Sequence, residues 1–396
     1  MRHWVVAGLF VLSLITYIDR AAISSVKDPL SAELGLSGQQ MGAVFSAFAL
    51  GYAIAQVPSG WAADRFGPRL MLSAVVVFWS LLTALTGAVH QFFVLIAVRF
   101  TFGIAEAGAF PGSARAFYNW LPPWEHGRAN GIIFAASRLG AAIAFPIMAW
   151  LLASNSWRTA FFWLAIPGIV WGIAWYAWFR DEPPTPPQRA AAPSGAEPSF
   201  GQIFRSRPML LAMSQYFIVN FTTFLCLTWM LPYLKERFAL SPSAAAFYAM
   251  IPLLVGATAQ WATGTIVDKL YRSKHKPWSR RLPAIAGFLL SAAGISAIPH
   301  VENVQTVVFL FTVAAFGAEM TISPSWAFCM DIGGRKSGAI TGSMNMLGNL
   351  GSFVSANLFP VLGAGYFTLV AILNLYSAAA WFFMVSSSAQ KTGSRG

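Results

Sequence analysis

The chain has 396 residues, of which 57% are hydrophobic and only 10% are charged, too few charged side chains to cover a water-soluble domain of this size. The formal charge of +12 would suit a nucleic-acid partner only as a basic stripe on a soluble module. Here the basic residues sit in short gaps between apolar runs, the pattern of a membrane protein anchored by its loops.

The first apolar run, 4–24, follows Arg2 and His3 and resembles a signal peptide until its end. It is longer than the usual core of such a segment and finishes in Asp19-Arg20 instead of a small-residue cleavage site, so it is read as a first span. Eleven more runs of membrane-crossing length follow near 41–62, 70–89, 92–115, 128–152, 159–179, 209–234, 244–266, 282–299, 304–330, 337–362 and 365–386. An even number of spans puts both termini on one side of the membrane. With the termini in the cytoplasm, 19 of the 26 Lys and Arg residues fall in or next to cytoplasmic loops, against Lys27, Arg158, Lys235 and Arg237 outside.

Between Arg180 and Pro208 the composition turns proline-rich and then small and polar, which opposes helix continuation. The expected organisation is a six-helix half over 1–180, a cytoplasmic linker over 181–208, a second six-helix half over 209–388 and a cytoplasmic tail over 389–396. The halves echo each other. Gly60-Trp61-Ala62-Ala63-Asp64-Arg65 after the second run matches Gly264-Thr265-Ile266-Val267-Asp268-Lys269 after the eighth. Phe102-Gly103 with Glu106 and Pro111 matches Phe316-Gly317 with Glu319 and Pro324. The fold class expected is all-α and integral to the membrane, twelve transmembrane helices in two pseudo-symmetric halves. Parallel repeats of this kind put a substrate site between the halves, near the midplane.

Ionisable groups interrupt two of these runs in pairs: Asp19 and Arg20 in the first, Arg99 and Glu106 in the fourth. Each costs roughly 2.5 to 3.5 kcal/mol at mid-membrane on insertion scales, so such groups usually face a partner or a wet cavity. Arg99 and Glu106 are seven residues apart, close to two helical turns, and therefore share a face. Arginine stays charged when buried and pairs bidentately with carboxylates. All five histidines lie in loops or at span ends, which leaves carboxylates as mid-membrane proton carriers. The plainer reading keeps Asp19 with Arg99, or Arg20 with Glu106, as salt bridges that only join two helices. Cys226 and Cys329 lie in apolar runs without neighbouring His or acidic clusters, so neither a disulfide nor a metal site is indicated. No nucleotide cradle, H-E-x-x-H or G-x-S-x-G occurs, so ATP-driven pumping and embedded hydrolase chemistry lack their motifs.

The segment Gly60 to Arg69 resembles the signature G-x-x-x-D-R-x-G-x-R of the major facilitator superfamily, and the twelve-span layout is similar over nearly the whole chain. Tyr17-Ile18-Asp19-Arg20, Arg99 with Glu106, and Gly108-Ala109-Phe110-Pro111-Gly112 resemble more narrowly its anion:cation symporter branch, which includes bacterial sugar-acid, galactonate and hexuronate transporters. The resemblance implies proton-coupled symport of a small carboxylate by alternating access, with the proton as coupling ion and no other cofactor. It implies a monomer in the bacterial inner membrane. Asp19 and Glu106 would be the proton-linked carboxylates. Arg20, with Arg99 beside it, would contact the substrate carboxylate, and Tyr17, Tyr52, Ser323, Ser325, Trp326 and Asn345 would line the pocket. Asp64, Arg65 and Arg69 would form a cytoplasmic conformational latch. In the fifth span the sequence reads Ala136-Ser137-Arg138-Leu139-Gly140, with arginine where that branch leads one to expect a neutral polar residue. Arg138 is either a second anion clamp, as a doubly charged substrate would favour, or a structural partner of Glu319. An organic-anion or phosphate-ester exchanger and a multidrug exporter are the alternatives.

Overall fold

The computed structural model describes residues 2–188 and 198–384; the expected tail at 389–396 and residues 189–197 of the expected linker lie outside the described residues. In chain order the helices are α1 (Arg2–Ser25), α2 (Lys27–Leu34), α3 (Gly38–Phe66), α4 (Pro68–Ala88), α5 (Phe92–Glu106), α6 (Ala109–Trp120), α7 (His126–Ser154) and α8 (Trp157–Trp178). There follow α9 (Phe200–Phe204), α10 (Arg207–Phe224), α11 (Met230–Phe238), α12 (Pro242–Tyr271), α13 (Arg281–Ala297), α14 (Val304–Met320), α15 (Ile322–Gly333), α16 (Ser337–Leu362) and α17 (Gly365–Phe383). The short α9 sits inside the stretch expected as linker and starts with a capping box in which Ser199 and Gln202 satisfy each other's backbone N–H.

Among the described residues, ten stretches are long and apolar enough to cross a membrane. One of them, Val304–Phe359, is 56 residues long and contains the tenth expected run and most of the eleventh. The seventh run falls on α10 and α11, separated by a π turn at Leu225–Trp229, which breaks the continuous helix that the composition suggests. Within the described residues all twelve expected runs thus fall on helices, and the protein is an all-α, multi-pass membrane protein of twelve spans.

The chain forms two compact units. Unit 1 comprises Met1–Leu121, Ala136–Gln188 and Arg335–Gly342; unit 2 comprises Pro122–Ala135, Arg189–Gly334 and Ser343–Gly396. Within unit 1, α4 packs along α8 and α3 along α5, while α1 lies against α6 and α8. The α3/α5 contact is backbone to backbone: a Cβ at Gly103 would overlap the Phe48 carbonyl, and one at Gly51 the Phe100 carbonyl. Within unit 2, α13 packs on α14 and α17, and α12 on α14, around a core that includes Phe221, Phe311, Tyr366 and Phe367. Cys226 and Cys329 are both buried free thiols of that unit.

The repeat seen in the sequence is visible as local structure. α5 ends at Glu106 and α6 resumes at Ala109; α14 ends at Met320, just after Glu319, and α15 resumes at Ile322. In both halves a buried acid therefore sits in the last turn before a short irregularity in a long apolar span.

Candidate functional site

Unit 1 brings together six of the residues singled out in the sequence. α1 carries Tyr17, Asp19 and Arg20; α3 carries Tyr52; α5 carries Arg99 and Glu106. Arg20 Nε donates to Glu106 Oε1, an ion pair in which Glu106 is fully buried and the arginine side chain retains 21% exposure. The guanidinium is also boxed by rings, with its central carbon 4.9 Å from the Tyr17 centroid, 5.4 Å from Phe48 and 4.4 Å from Tyr52. Phe110 in turn holds Tyr17 edge-on, with centroids 6.3 Å apart. Close approach of α3 to α5 at Gly51 and Gly103 is what places the Phe48 and Tyr52 rings over the arginines.

Arg99 is buried and lies 5.0 Å from the Phe48 centroid and 4.8 Å from Phe102. Its Nε has no hydrogen-bond partner, and among the described residues it forms no ion pair within 4 Å. Asp19 is equally buried and within electrostatic reach of both Glu106 and Arg99. Of the two structural salt bridges conceivable from the sequence, the one between Arg20 and Glu106 is formed. Asp19 instead accepts a hydrogen bond from Trp79 Nε1 at 3.2 Å. Neither Trp79 nor Phe48 is legible as a site residue in the sequence, because a single aromatic in an apolar run looks like packing.

Half-buried Arg138 stands on α7, two residues from Gly140, where a Cβ would meet the Leu14 carbonyl and Tyr17. The helix bearing the extra arginine therefore runs directly beside the site's α1.

In unit 2 the polar atoms of the expected pocket residues have internal partners. Ser325 Oγ donates to the Thr321 carbonyl at 2.6 Å and contacts the Gln215 amide. Ser323 Oγ donates to the Gly127 carbonyl at 2.5 Å. Trp326 Nε1 donates to the Tyr216 hydroxyl at 2.8 Å, with the Phe134 ring 5.1 Å from its own. Asn345 is buried on α16, and its carbonyl accepts from Asn349 at 2.8 Å. Glu319 contacts the Gln260 amide. A substrate contact from either serine would therefore use a remaining lone pair.

The signature loop builds a helix cap at long range. The two Asp64 oxygens accept from the N–H groups of Gly338 at 2.9 Å and Ala339 at 2.8 Å, the first turn of α16, where orphan donors and the helix dipole favour a carboxylate. Arg115 Nε lies 3.8 Å from Asp64. Arg69 takes a different role: its N–H donates to Asp181 at 2.8 Å and its side chain to the Tyr176 carbonyl at 2.8 Å. Between them Gly67 has φ +81°, a conformation that suits glycine alone. Burial of Asp181 outweighs its contacts with Arg69 and raises its pKa from the ordinary value of an aspartate. Arg65 is exposed, 5.2 Å from the Trp61 ring.

Unit 2 repeats the device. Asp268 accepts from Gly127 at 2.9 Å and Arg128 at 2.8 Å, the first turn of α7. Arg280 bridges Asp268 at 3.6 Å and Asp331 at 3.1 Å, and buried His126 meets Asp331 at 3.3 Å. Replacing Asp64 by Ala is expected to cost about 1 to 2 kcal/mol as a lost cap, whereas Arg65→Ala should cost under about 0.5 kcal/mol. Thermal unfolding in detergent measures both; equal losses would show that the carboxylate does not hold the α16 terminus.

Comparison with known proteins agrees with this architecture. The family described as the Major Facilitator Superfamily matches residues 9–356. The probable sulfoacetate transporter SauU of Cupriavidus necator is 31% identical over 377 residues, covering 91% of this chain and 87% of the relative. The probable L-galactonate transporter of Escherichia coli is 33% identical over 367 residues, 89% of this chain and 80% of that one. Among solved structures, the human organic anion transporter MFSD10 superposes with TM-score 0.73 at 15% identity, covering 96% of this chain and 99% of that one. The proton:xylose symporter XylE superposes with TM-score 0.72, also at 15% identity, over 97% and 96%. With the family signature realised as a helix cap and the match extending over most of its length, this chain belongs to the major facilitator superfamily and is a membrane transporter, not an enzyme.

Proposed function

We propose that the protein is a proton-coupled symporter of a small organic anion bearing a carboxylate, sugar acids foremost, working by alternating access. The observation that carries this is Arg20: a permanent cation inside the apolar spans, boxed by Tyr17, Phe48 and Tyr52 and held by a buried carboxylate, Glu106. An incoming carboxylate replaces Glu106 on the guanidinium once Glu106 is protonated, and proton and anion are thereby linked. Charge balance supports the coupling. Asp19, Arg20, Arg99 and Glu106 sum to zero when all are ionised, so each negative charge brought into this dry site calls for a proton to keep it neutral. The names of the relatives, which include a sulfoacetate and an L-galactonate transporter, agree in chemical class.

The excess of Lys and Arg in alternate loops supports an orientation with both termini in the cytoplasm of a bacterial inner membrane.

A thermal-shift screen of mono- and dicarboxylates on the purified protein tests this reading. At about 100 times Kd a ligand adds roughly 2.7 kcal/mol of stability, so sugar acids should raise Tm by several degrees and Arg20→Ala should remove the shift. Selective loss of the dicarboxylate response in Arg138→Ala would identify a second clamp. Equal stabilisation by neutral sugars or by apolar cations would overturn the proposal.

A further inference from the structure

The two acids of the site are held in opposite ways. Glu106 is held by a charged partner that an anionic substrate competes for. Asp19 is held by the indole N–H of Trp79, whose ring is fully buried on α4. An indole nitrogen donates, never accepts, and carries no charge to surrender. The helix that carries Trp79 is also tightly held. α4 is clamped on α8, where a Cβ at Gly172 would strike Val77 and one at Gly168 would strike Ser80, on either side of Trp79 in the sequence.

Resting on the symport reading above, we propose that Trp79 is a positioning residue that fixes where and at what pH Asp19 carries its proton. With Oδ2 occupied by the indole N–H, the proton enters and leaves at Oδ1. The carboxyl therefore changes charge without changing rotamer. The donor favours the ionised form over the acid, so Asp19 releases its proton at a lower pH than it would beside an apolar ring. The other groups in play are Glu106 and Arg99 of α5, Arg20 next in α1, and Arg138 on α7. Against this stretch of α1, α6 sets Phe110 beside Tyr17 and α8 sets Gly168 near Ile15, neither titratable.

Trp79→Phe keeps the ring and deletes the donor. Loss of a hydrogen bond to a charged group corresponds to about 1 to 2 pH units. The pH at which anion affinity is half-maximal should therefore move up by about one unit or more, while affinity at the optimum stays within about threefold. In the Asp19→Asn background the same substitution should produce no further displacement. A folded, anion-binding Trp79→Phe protein with an unmoved pH profile overturns the proposal, as does an equal displacement without Asp19. Should the variant fail to fold, the intact protein labelled with 15N-tryptophan supplies the readout. The Trp79 indole resonance should titrate, and Asp19→Asn should freeze it; titration that persists in Asp19→Asn overturns the proposal. Failure of the underlying symport reading has a different mark: the parent protein, with Trp79 and Asp19 intact, would then accumulate no anion under an imposed proton gradient.

Discussion

Glu106→Gln is expected to abolish uphill, proton-driven uptake in reconstituted vesicles while leaving anion exchange within about threefold of the parent protein. Glutamine has the shape of protonated glutamate and cannot ionise, so it mimics the loaded state of the acid permanently. Exchange needs only the loaded carrier to reorient, with Arg20 neutralised by the substrate. Net uptake needs the empty carrier to return, and in the variant it would do so with an unpaired guanidinium where Glu106 is now fully buried beside it. An uncompensated buried charge costs about 3 to 5 kcal/mol, which as a barrier slows the return by roughly a hundredfold to several thousandfold. Anion affinity should rise, since no internal carboxylate competes for Arg20, and the pH dependence that remains should be that of Asp19. Counterflow and pH-jump uptake on the same vesicles separate the two activities. Undiminished accumulation against a gradient would remove Glu106 from the coupling.

Arg20→Ala should weaken anion binding by about thirtyfold or more, because removing one partner of a buried charged contact costs roughly 2 to 5 kcal/mol. It should also destabilise the protein, since Glu106 loses its one ion pair among the described residues. These two effects come apart in the double variant. Arg20→Met with Glu106→Gln removes both charges, so stability should recover to within about 1 kcal/mol of the parent while binding remains lost. Arg20→Lys keeps the charge but not the planar fork that sits between the Tyr17 and Tyr52 rings, and should recover only part of the affinity. Calorimetric titration beside thermal unfolding measures both quantities. A double variant that binds anions normally would reduce the Arg20 to Glu106 pair to a strut between α1 and α5.

Class and architecture were legible because lipid imposes a composition rule on each span independently, and a few charged residues inside such spans stand out against it. Asp19, Arg20, Arg99 and Glu106 could be found this way, and so could the repeat of Asp64 in Asp268, since each depends on local pattern. Which of the four charges pair could not be found. That choice depends on how α1, α4 and α5 are rotated and how closely they approach, and it gave Glu106 to Arg20 but Asp19 to Trp79. The same holds for Asp64, whose partners lie 274 and 275 residues along the chain. Backbone N–H groups carry no side-chain identity, so no sequence pattern marks them as partners. Hydropathy is a property of each residue alone, whereas a hydrogen bond is a property of two, and only the packed helices decide which two.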